Sequence, residues 1–453
     1  MLSRFTRPFS RLSARRRAAG SRPQIEGLEI RSLLSLTTIN FGATVASQPV
    51  ALGNEVLFAA TDATHGTQLW ESDGTSAGTA RLTDGNDRFG GLVPSGLVAV
   101  GSELYFAATN GSDGQQLWKS DGTAGGTVEV TRSNDGIAGF GIYPTDLINA
   151  GGKLFFSGYD ANDGYQLFTS DGTAAGTRMV ADINGNLGGS VTNLVAAGRS
   201  VYFQAYDSTY GYQLWTSDGT AAGTVRLTSG DVAAGGTYPA DIVASGSSVY
   251  FAGFDATYGS QLWVSNGTAA GTARVTSQNA ARGGLNPTGL TVIGGTAYFG
   301  GNDGAHGAQL WSSTGTAAGT AMLTSVNAAG GGLAPTDVVA IGGELYFAGN
   351  DGAHGEQLWS SNGTTSGTAM VADINGASSS DIYGLTNVSG TLYFTAYTTK
   401  SGFQVWQSDG TASGTVMDTS LATGSSHIPS NLAVMGSSLF FTAPGASLWD
   451  LTA

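Results

Sequence analysis

Short strand-like apolar stretches alternate along this chain with Gly-, Ser- and Thr-rich punctuation, and from about residue 36 onward they recur in a fixed succession. An alternating stretch such as Asp337-Val338-Val339-Ala340-Ile341 is followed by an aliphatic–aromatic trio such as Leu345-Tyr346-Phe347. Then come a Gln-Leu-Trp unit such as Gln357-Leu358-Trp359 and a short segment after Gly-Thr such as Thr320-Ala321-Met322-Leu323. Each stretch has strand length and strand composition, and the Gly-rich separators have turn chemistry, so the succession predicts an antiparallel meander. The aromatics of the third stretch, Trp70, Trp118, Phe168, Trp215, Trp263, Trp311, Trp359 and Trp406, stand 47 to 50 residues apart, and a ninth, shorter copy ends in Ser447-Leu448-Trp449. Four antiparallel strands per repeat of this length is the unit of a β-propeller blade, so the repeats overrule the prior of about three domains for a chain of this length.

The last copy carries only the first three strand signals, while Leu36-Thr37-Thr38-Ile39-Asn40-Phe41 stands before the first copy without partners of its own. The expectation is an all-β single propeller of nine blades in which residues near 36–41 supply the missing fourth strand. Closure by strands from both ends would leave no open edge. An eight-bladed ring with a loose remnant is the alternative. The repeated aromatic reads as filler between neighbouring blades. Each such ring removes roughly 150–250 Å² from water, worth up to ~4–6 kcal/mol at about 25 cal/mol/Å². Phe168 keeps the bulk and lacks the indole N–H, so volume is the expected requirement there.

Composition adds two constraints. There is no cysteine, which removes disulfides, thiolate metal sites and cysteine nucleophiles, and no apolar run is long enough for a transmembrane helix. The net charge of -14 hides a split: residues 1–35 hold eight Arg against two Glu, whereas the remainder holds 11 basic and 31 acidic residues. The acidic repeat body is a poor nucleic-acid binder. The first 35 residues read as a separate, largely disordered basic segment, and their Ile25-Glu26-Gly27-Leu28-Glu29-Ile30-Arg31-Ser32-Leu33-Leu34-Ser35 stretch resembles the LEPR-XLL segment of planctomycete surface proteins, with Ile30 in place of Pro. That resemblance implies export or surface display.

Across residues 36–453 the recurring Leu-Trp-x-Ser-Asp-Gly-Thr-x-x-Gly-Thr is similar to the ELWxxDGT repeat of bacterial extracellular proteins, as are the Ala181-Asp182-Ile183-Asn184-Gly185 and Ala372-Asp373-Ile374-Asn375-Gly376 runs. The resemblance brings no settled activity. The Glu of that pattern is Gln in every full copy, at Gln68, Gln116, Gln166, Gln213, Gln261, Gln309, Gln357 and Gln404, which excludes a ring of functional carboxylates there.

The copies test each candidate site against one another. The turn position Asp73, Asp121, Asp171, Asp218, Asn266, Thr314, Asn362, Asp409 tolerates Asn and Thr, as a turn-capping side chain does and a hard-cation ligand does not. His65, His306 and His354 share one loop position in separate blades, and His427 stands alone. Asp160 with Asp163 is the one place with a Ca²⁺ reading, and turn capping is the better account of it. Asp381, Glu103 and Glu344 depart from the repeat, yet sequence alone arranges no acid–base pair among them.

What breaks the repeat is a gathering of tyrosines around the second-to-third strand loop of copies three to five: Tyr159, Tyr165, Tyr206, Tyr210, Tyr212 and Tyr258, where copy six has residues such as Asn302 and Ala308. Tyr165, Tyr210, Tyr212 and Tyr258 are the candidate binding patch, since Tyr suits binding surfaces and sugar stacking. The functional expectation is a monomeric, secreted or cell-surface binding or structural module without a cofactor, its partner an extracellular protein or glycan. A propeller enzyme acting on extracellular glycans is the alternative.

Overall fold

A computed structural model describes residues 35–85, 90–132, 141–230, 232–419, 421, 428–435, 438–443 and 447–452. All of the basic N-terminal segment except Ser35, and His427, lie outside the described residues. The described chain is all-β apart from single-turn 3₁₀ segments, and it forms nine antiparallel sheets. In the third, Thr145–Ala150, Lys153–Asp160, Gly164–Ser170 and Arg178–Ala181 pair in sequence order from the inside outward. The inner strands pack side by side from blade to blade, and Val50–Leu52 of blade 1 touches both Ser95–Val100 of blade 2 and Ser430–Met435 of blade 9. The ring is therefore a nine-bladed propeller, and the eight-bladed alternative falls.

Closure uses both ends of the repeat body. Ser430–Met435, Ser438–Ala443 and Ser447–Thr452 form three strands of blade 9, and Ser35–Ile39 pairs with the last of them, Thr38 opposite Trp449 and Ile39 opposite Leu448. The closing strand stops short of the expected residue 41. Phe41 instead packs edge-on to Phe58 and Trp70 of blade 1, with centroids 5.7 and 5.2 Å away. Blade 1 also departs from the others: its inner strand is split into Thr44–Val45 and Val50–Leu52, and Gln48 Nε2 reaches across the seam to the Leu432 carbonyl at 3.0 Å.

The core repeats as regularly as the sequence. The last aromatic of each trio (Phe58, Phe106, Phe156, Phe203, Phe251, Phe299, Phe347, Phe394, Phe441) is fully buried, as is the aliphatic residue preceding each repeated aromatic. The Phe stands opposite that aromatic on the third strand, for example Phe347 opposite Trp359, and the two rings stack at 6.4 Å. The indole N–H is used in some copies only. It donates to the carbonyl ten residues earlier at Trp70, Trp263, Trp311 and Trp359. At Trp118, Trp215, Trp406 and Trp449 it finds no acceptor among the described residues. A glycine at that earlier position explains three of the four bonds. A Cβ on Gly253, Gly301 or Gly349 would stand 2.8, 3.0 and 3.1 Å from the indole it faces, so Gly lets the ring settle closer over the carbonyl, at 3.0 Å against 3.2 Å in blade 1, where Ala60 is the acceptor.

The repeated Gln is the buried polar element of blades 1 to 8, and the ninth copy has Ser447 at that position. Gln309 Nε2 donates to the carbonyls of His306 (2.6 Å) and Val326 (2.7 Å), and Oε1 accepts from the Thr324 hydroxyl (2.8 Å). Thr324 Oγ in turn accepts the Leu310 N–H at 2.9 Å. The amide thus ties the start of the third strand to its preceding loop and to the chain leaving the fourth strand. Gln68, Gln213, Gln261 and Gln404 make the same bonds, and each is at most 1% exposed. A carboxylate here would face two carbonyl oxygens, a physical reason for the uniform amide.

Two outcomes are expected. Gln309→Leu removes the donor to two carbonyls and the acceptor for the Thr324 hydroxyl proton in a dry site and should cost roughly 2–4 kcal/mol in urea-induced unfolding. Ile39→Ala, in the closing strand, should cost about 2–4 kcal/mol in the same measurement, and hydrogen exchange should show blade 9 opening first.

Candidate functional site

Residues that repeat serve the scaffold, and the structure shows how. In the Ser-x-Asp-Gly-Thr turn, Asp73 Oδ1 accepts both the backbone N–H and the hydroxyl of Thr75, at 2.9 and 2.7 Å. Asn266 and Asn362 make the same two bonds to Thr268 and Thr364. The Thr hydroxyl first, and its N–H second, hold the carboxyls of Asp73, Asp121, Asp171, Asp218 and Asp409 below the usual range. Gly74 lies at φ 92° and its seven equivalents between 83° and 91°, as a left-handed turn position requires.

The loop acids cap their own turns as well. Asp160 Oδ1 accepts the N–H groups of Asn162 and Asp163, and Asp62, Asp207, Asp255, Asp303 and Asp351 do likewise. His306 and His354 hydrogen-bond to Asp303 and Asp351 within their own loops, at 2.7 and 2.8 Å. Among the described residues no group of three or more His, Asp or Glu is arranged to hold a metal ion.

The four candidate tyrosines divide between two environments rather than forming one patch. The Tyr210 ring lies 3.3 Å beneath the Arg226 guanidinium, and Tyr258 lies 3.6 Å beneath Arg274. Each arginine also pairs with the loop acid, Asp207 at 3.0 Å or Asp255 at 3.2 Å. These rings are engaged in cation–π stacks at the outer strand of their own blades. Tyr165 and Tyr212 sit instead on the end of the ring where second-to-third strand loops meet the crossovers into the next blade. Tyr165 packs on Tyr159 (5.4 Å), which meets Tyr143 (6.4 Å), and Tyr212 packs between Tyr206 (5.1 Å) and Tyr238 (5.3 Å).

Tyr143 and Tyr238 escaped the sequence reading because they lie in the crossover, outside the loop where the other tyrosines gather. They occupy one left-handed position shared by Val93, Tyr143, Ser190, Tyr238, Asn286, Ala334 and Asp381, at φ 39–50°. The Tyr-Pro pairs at 143–144 and 238–239 were the available signal. Blade 5 completes the site. At the positions filled by Tyr165 and Tyr212 in blades 3 and 4 it has Ser260, while Phe254 takes the place of Tyr159 and Tyr206. With Ala240 and Ala252 also small, a cleft of 410 Å³ opens between the walls Tyr238 and Phe254, flanked by Ala234. Tyr238 is 43% exposed, so this wall faces solvent.

A second departure lies at blades 7 and 8. Glu356 Oε1 accepts the Ile382 N–H at 2.7 Å. Burial pushes its carboxyl up, against that hydrogen bond, with Asp381 and Asp337 adding to the rise. Asp381 accepts the Ser379 hydroxyl at 2.6 Å, and the hydroxyl of Tyr383 is raised by burial first and by the charges of Asp381 and Glu356 after it. Of the other off-pattern acids, Glu103 pairs with Lys119 at 2.9 Å, and Glu344 receives the Tyr346 hydroxyl at 3.4 Å. Glu356 was legible only as the single acid at the position of Thr67, Gln115, Tyr165, Tyr212, Ser260, Ala308 and Phe403.

A third departure is structural. Asp418 stands where the other full copies place Leu82, Val130, Val180, Leu227, Val275, Leu323 and Val371. Its Oδ2 is buried without a partner among the described residues, and burial pushes its carboxyl up to about 7. Its charge, with burial the larger cause, helps lift the Tyr393 hydroxyl to about 12.

No protein-family model matches the chain, and no curated protein does. Among solved structures the chain is similar to BamB from Moraxella catarrhalis, at 16% identity over 80% of this chain and 95% of that one, TM-score 0.39. It is similar to a virginiamycin B lyase from Staphylococcus aureus at 15% identity over 68% and 94%, TM-score 0.39. A puromycin hydrolase matches at 14% identity over 79% of this chain and 59% of that one, TM-score 0.41. The chain spans about three fifths of that hydrolase. At such similarity no activity carries across, and the class is defined by the nine sheets themselves: a closed nine-bladed β-propeller.

Asp418 supports one expected outcome. A carboxyl whose folded pKa is raised contributes most to stability below its unfolded pKa, and the contribution is lost as pH rises through the folded value. Stability should therefore fall between about pH 4 and pH 7, and Asp418→Leu should raise the thermal midpoint at pH 7.5 while changing it little at pH 4.

Proposed function

We propose that the protein is a secreted or surface-displayed interaction module whose binding face is the crossover end of blades 3 to 5. The carrying observation is the cleft between Tyr238 and Phe254. Here Ser260 stands where blades 3 and 4 carry Tyr, and Ala240 where the other inner strands carry Ser, Thr or Tyr, between the exposed Tyr238 and the half-buried Phe254, and aromatic-walled concavities of a few hundred Å³ suit ligands. Display outside the cell is supported by the basic segment resembling LEPR-XLL and by the extracellular character of the repeat it resembles. Two measurements test the reading. Antibody labelling or protease shaving of intact producing cells should reach the repeat body, and purified protein should bind extracellular material in a way that Tyr238→Ala and Phe254→Ala each weaken at least tenfold. Binding untouched by either substitution would displace the site.

The second reading, hydrolysis of extracellular glycans, is favoured by one observation: the half-buried, raised carboxyl of Glu356, which feels the charge of Asp381, the acid-with-carboxylate arrangement that glycoside cleavage uses. Under that reading Glu356→Gln removes all turnover of glycan substrates while binding persists. Under the module reading the wild-type protein shows no turnover to remove.

A further inference from the structure

We infer that the blade 5 cleft takes a neutral glycan chain, with one sugar ring held between Tyr238 and Phe254 and the neighbouring tyrosines extending the platform. This deepens the binding-module reading and rests on it. Three features of the site point to that ligand class.

First, the described lining residues, Ala234, Tyr238, Ala240, Ala252, Phe254 and Ser260, include no charge, in a repeat body rich in carboxylates. A charged ligand would find no counter-charge in the cleft, whereas a sugar offers an apolar C–H face to the rings and hydroxyls to Ser260 and the tyrosine rims. Second, the aromatics continue beyond the cleft. Tyr212 packs on Tyr238 at 5.3 Å and on Tyr206 at 5.1 Å, and the next blade presents Tyr165 with Tyr159 and Tyr143. Neighbouring sheets lie on the order of 10 Å apart, so the rings recur along an extended ligand rather than around a compact one.

Third, the backbone at the cleft is already paired, which disfavours an extended peptide. Such a peptide needs free N–H and C=O groups along a strand edge. Here the Ser260 N–H donates to the Gly283 carbonyl at 2.8 Å, and the Ser260 carbonyl accepts from Asn286 at 3.0 Å. The Phe254 N–H donates to Thr237 at 2.6 Å, and the Tyr212 N–H and carbonyl are taken by Gly235 and Tyr238. The parallel bridges Tyr212–Gly236 and Ser260–Gly284 close this edge.

The repeat supplies the decisive variant. Ser260→Tyr installs the residue that blades 3 and 4 carry at the same position, where it packs on the second-strand aromatic at 5.4 and 5.1 Å. It should therefore fold normally and fill the cleft by packing on Phe254. Full-length protein is titrated calorimetrically with a soluble neutral β-glucan, a neutral α-glucan, a polyuronate and an extended peptide rich in aromatic residues. At least one neutral glucan is expected to bind, Ser260→Tyr to weaken it at least tenfold with an unchanged unfolding midpoint, and Tyr258→Phe, whose ring lies beneath Arg274, to leave it unchanged. Failure of both neutral glucans to bind, or equal glucan affinity in Ser260→Tyr, overturns the inference. Binding of the peptide or polyuronate alone, lost in Ser260→Tyr, overturns the ligand class and leaves the module reading standing. Binding to extracellular material that Ser260→Tyr, Tyr238→Ala and Phe254→Ala all leave intact overturns both.

Discussion

The buried glutamine amide at the head of the third strand in blades 1 to 8 is the interaction on which the rest of this propeller depends. In blade 4, Gln213 Nε2 donates to the carbonyls of Tyr210 and Gly230, and Oε1 accepts the hydroxyls of Thr228 and Thr237. One side chain thus fixes the loop before its strand, the chain leaving the fourth strand and the crossover into the next blade. Thr237 precedes Tyr238, so the wall of the cleft in blade 5 is positioned by an amide in blade 4. Gln357 holds the crossover into blade 8 in the same way, through the Ser380 hydroxyl at 2.7 Å. Buried polar groups are costly unless fully paired, and here full pairing sets the crossover face on which the departures from the repeat are displayed.

A second constraint acts at the inner end of each blade. In blades 2 to 9 the second residue of the inner strand is Gly, Asp or Asn, at φ 50–66°, and the register with the neighbouring strand slips there. Only these residue types reach that conformation cheaply. In three blades the side chain also clasps the next. Asp146 accepts the Asn193 N–H at 2.8 Å, Asp241 that of Leu290 at 2.9 Å, and Asp337 that of Leu385 at 3.1 Å. The ring is held by apolar packing between blades, by these clasps and by the closing strand, so its integrity is distributed rather than local.

Against so regular a scaffold, substitutions at repeat positions have local meanings. Gly in place of Ala ten residues before a Trp brings the indole closer to that carbonyl, 3.0 Å against 3.2 Å at Ala60. Asp in place of Leu or Val at 418 puts an ionisable group into the packing near the closing blade. Ser260 in place of Tyr opens a cleft. Each substitution is tolerated because the neighbouring copies carry the fold without it.

The sequence alone determined the blade and pointed to nine of them with a closing strand from near residue 36, because period, strand length and turn residues are local properties that the copies restate, while the choice between nine blades and eight with a remnant needed the pairing of Ser35–Ile39 with Ser447–Thr452. It also marked the turn aspartates as caps, since a position that accepts Asp, Asn and Thr suits a side chain serving its own turn, and Asp73, Asn266 and Asn362 make the same capping bonds. The candidate site was legible in part. Tyr165 and Tyr212 lie on the crossover face that the loop pattern suggested, whereas Tyr210 and Tyr258 lie under arginines from the fourth strand, a partnership between residues 16 positions apart in sequence. Tyr238 and Phe254 joined the site only in three dimensions, because the crossover brings residues of different repeat positions to one end of the ring. A cleft is made by residues that are too small, and absence of bulk becomes visible only when the walls around it are in place.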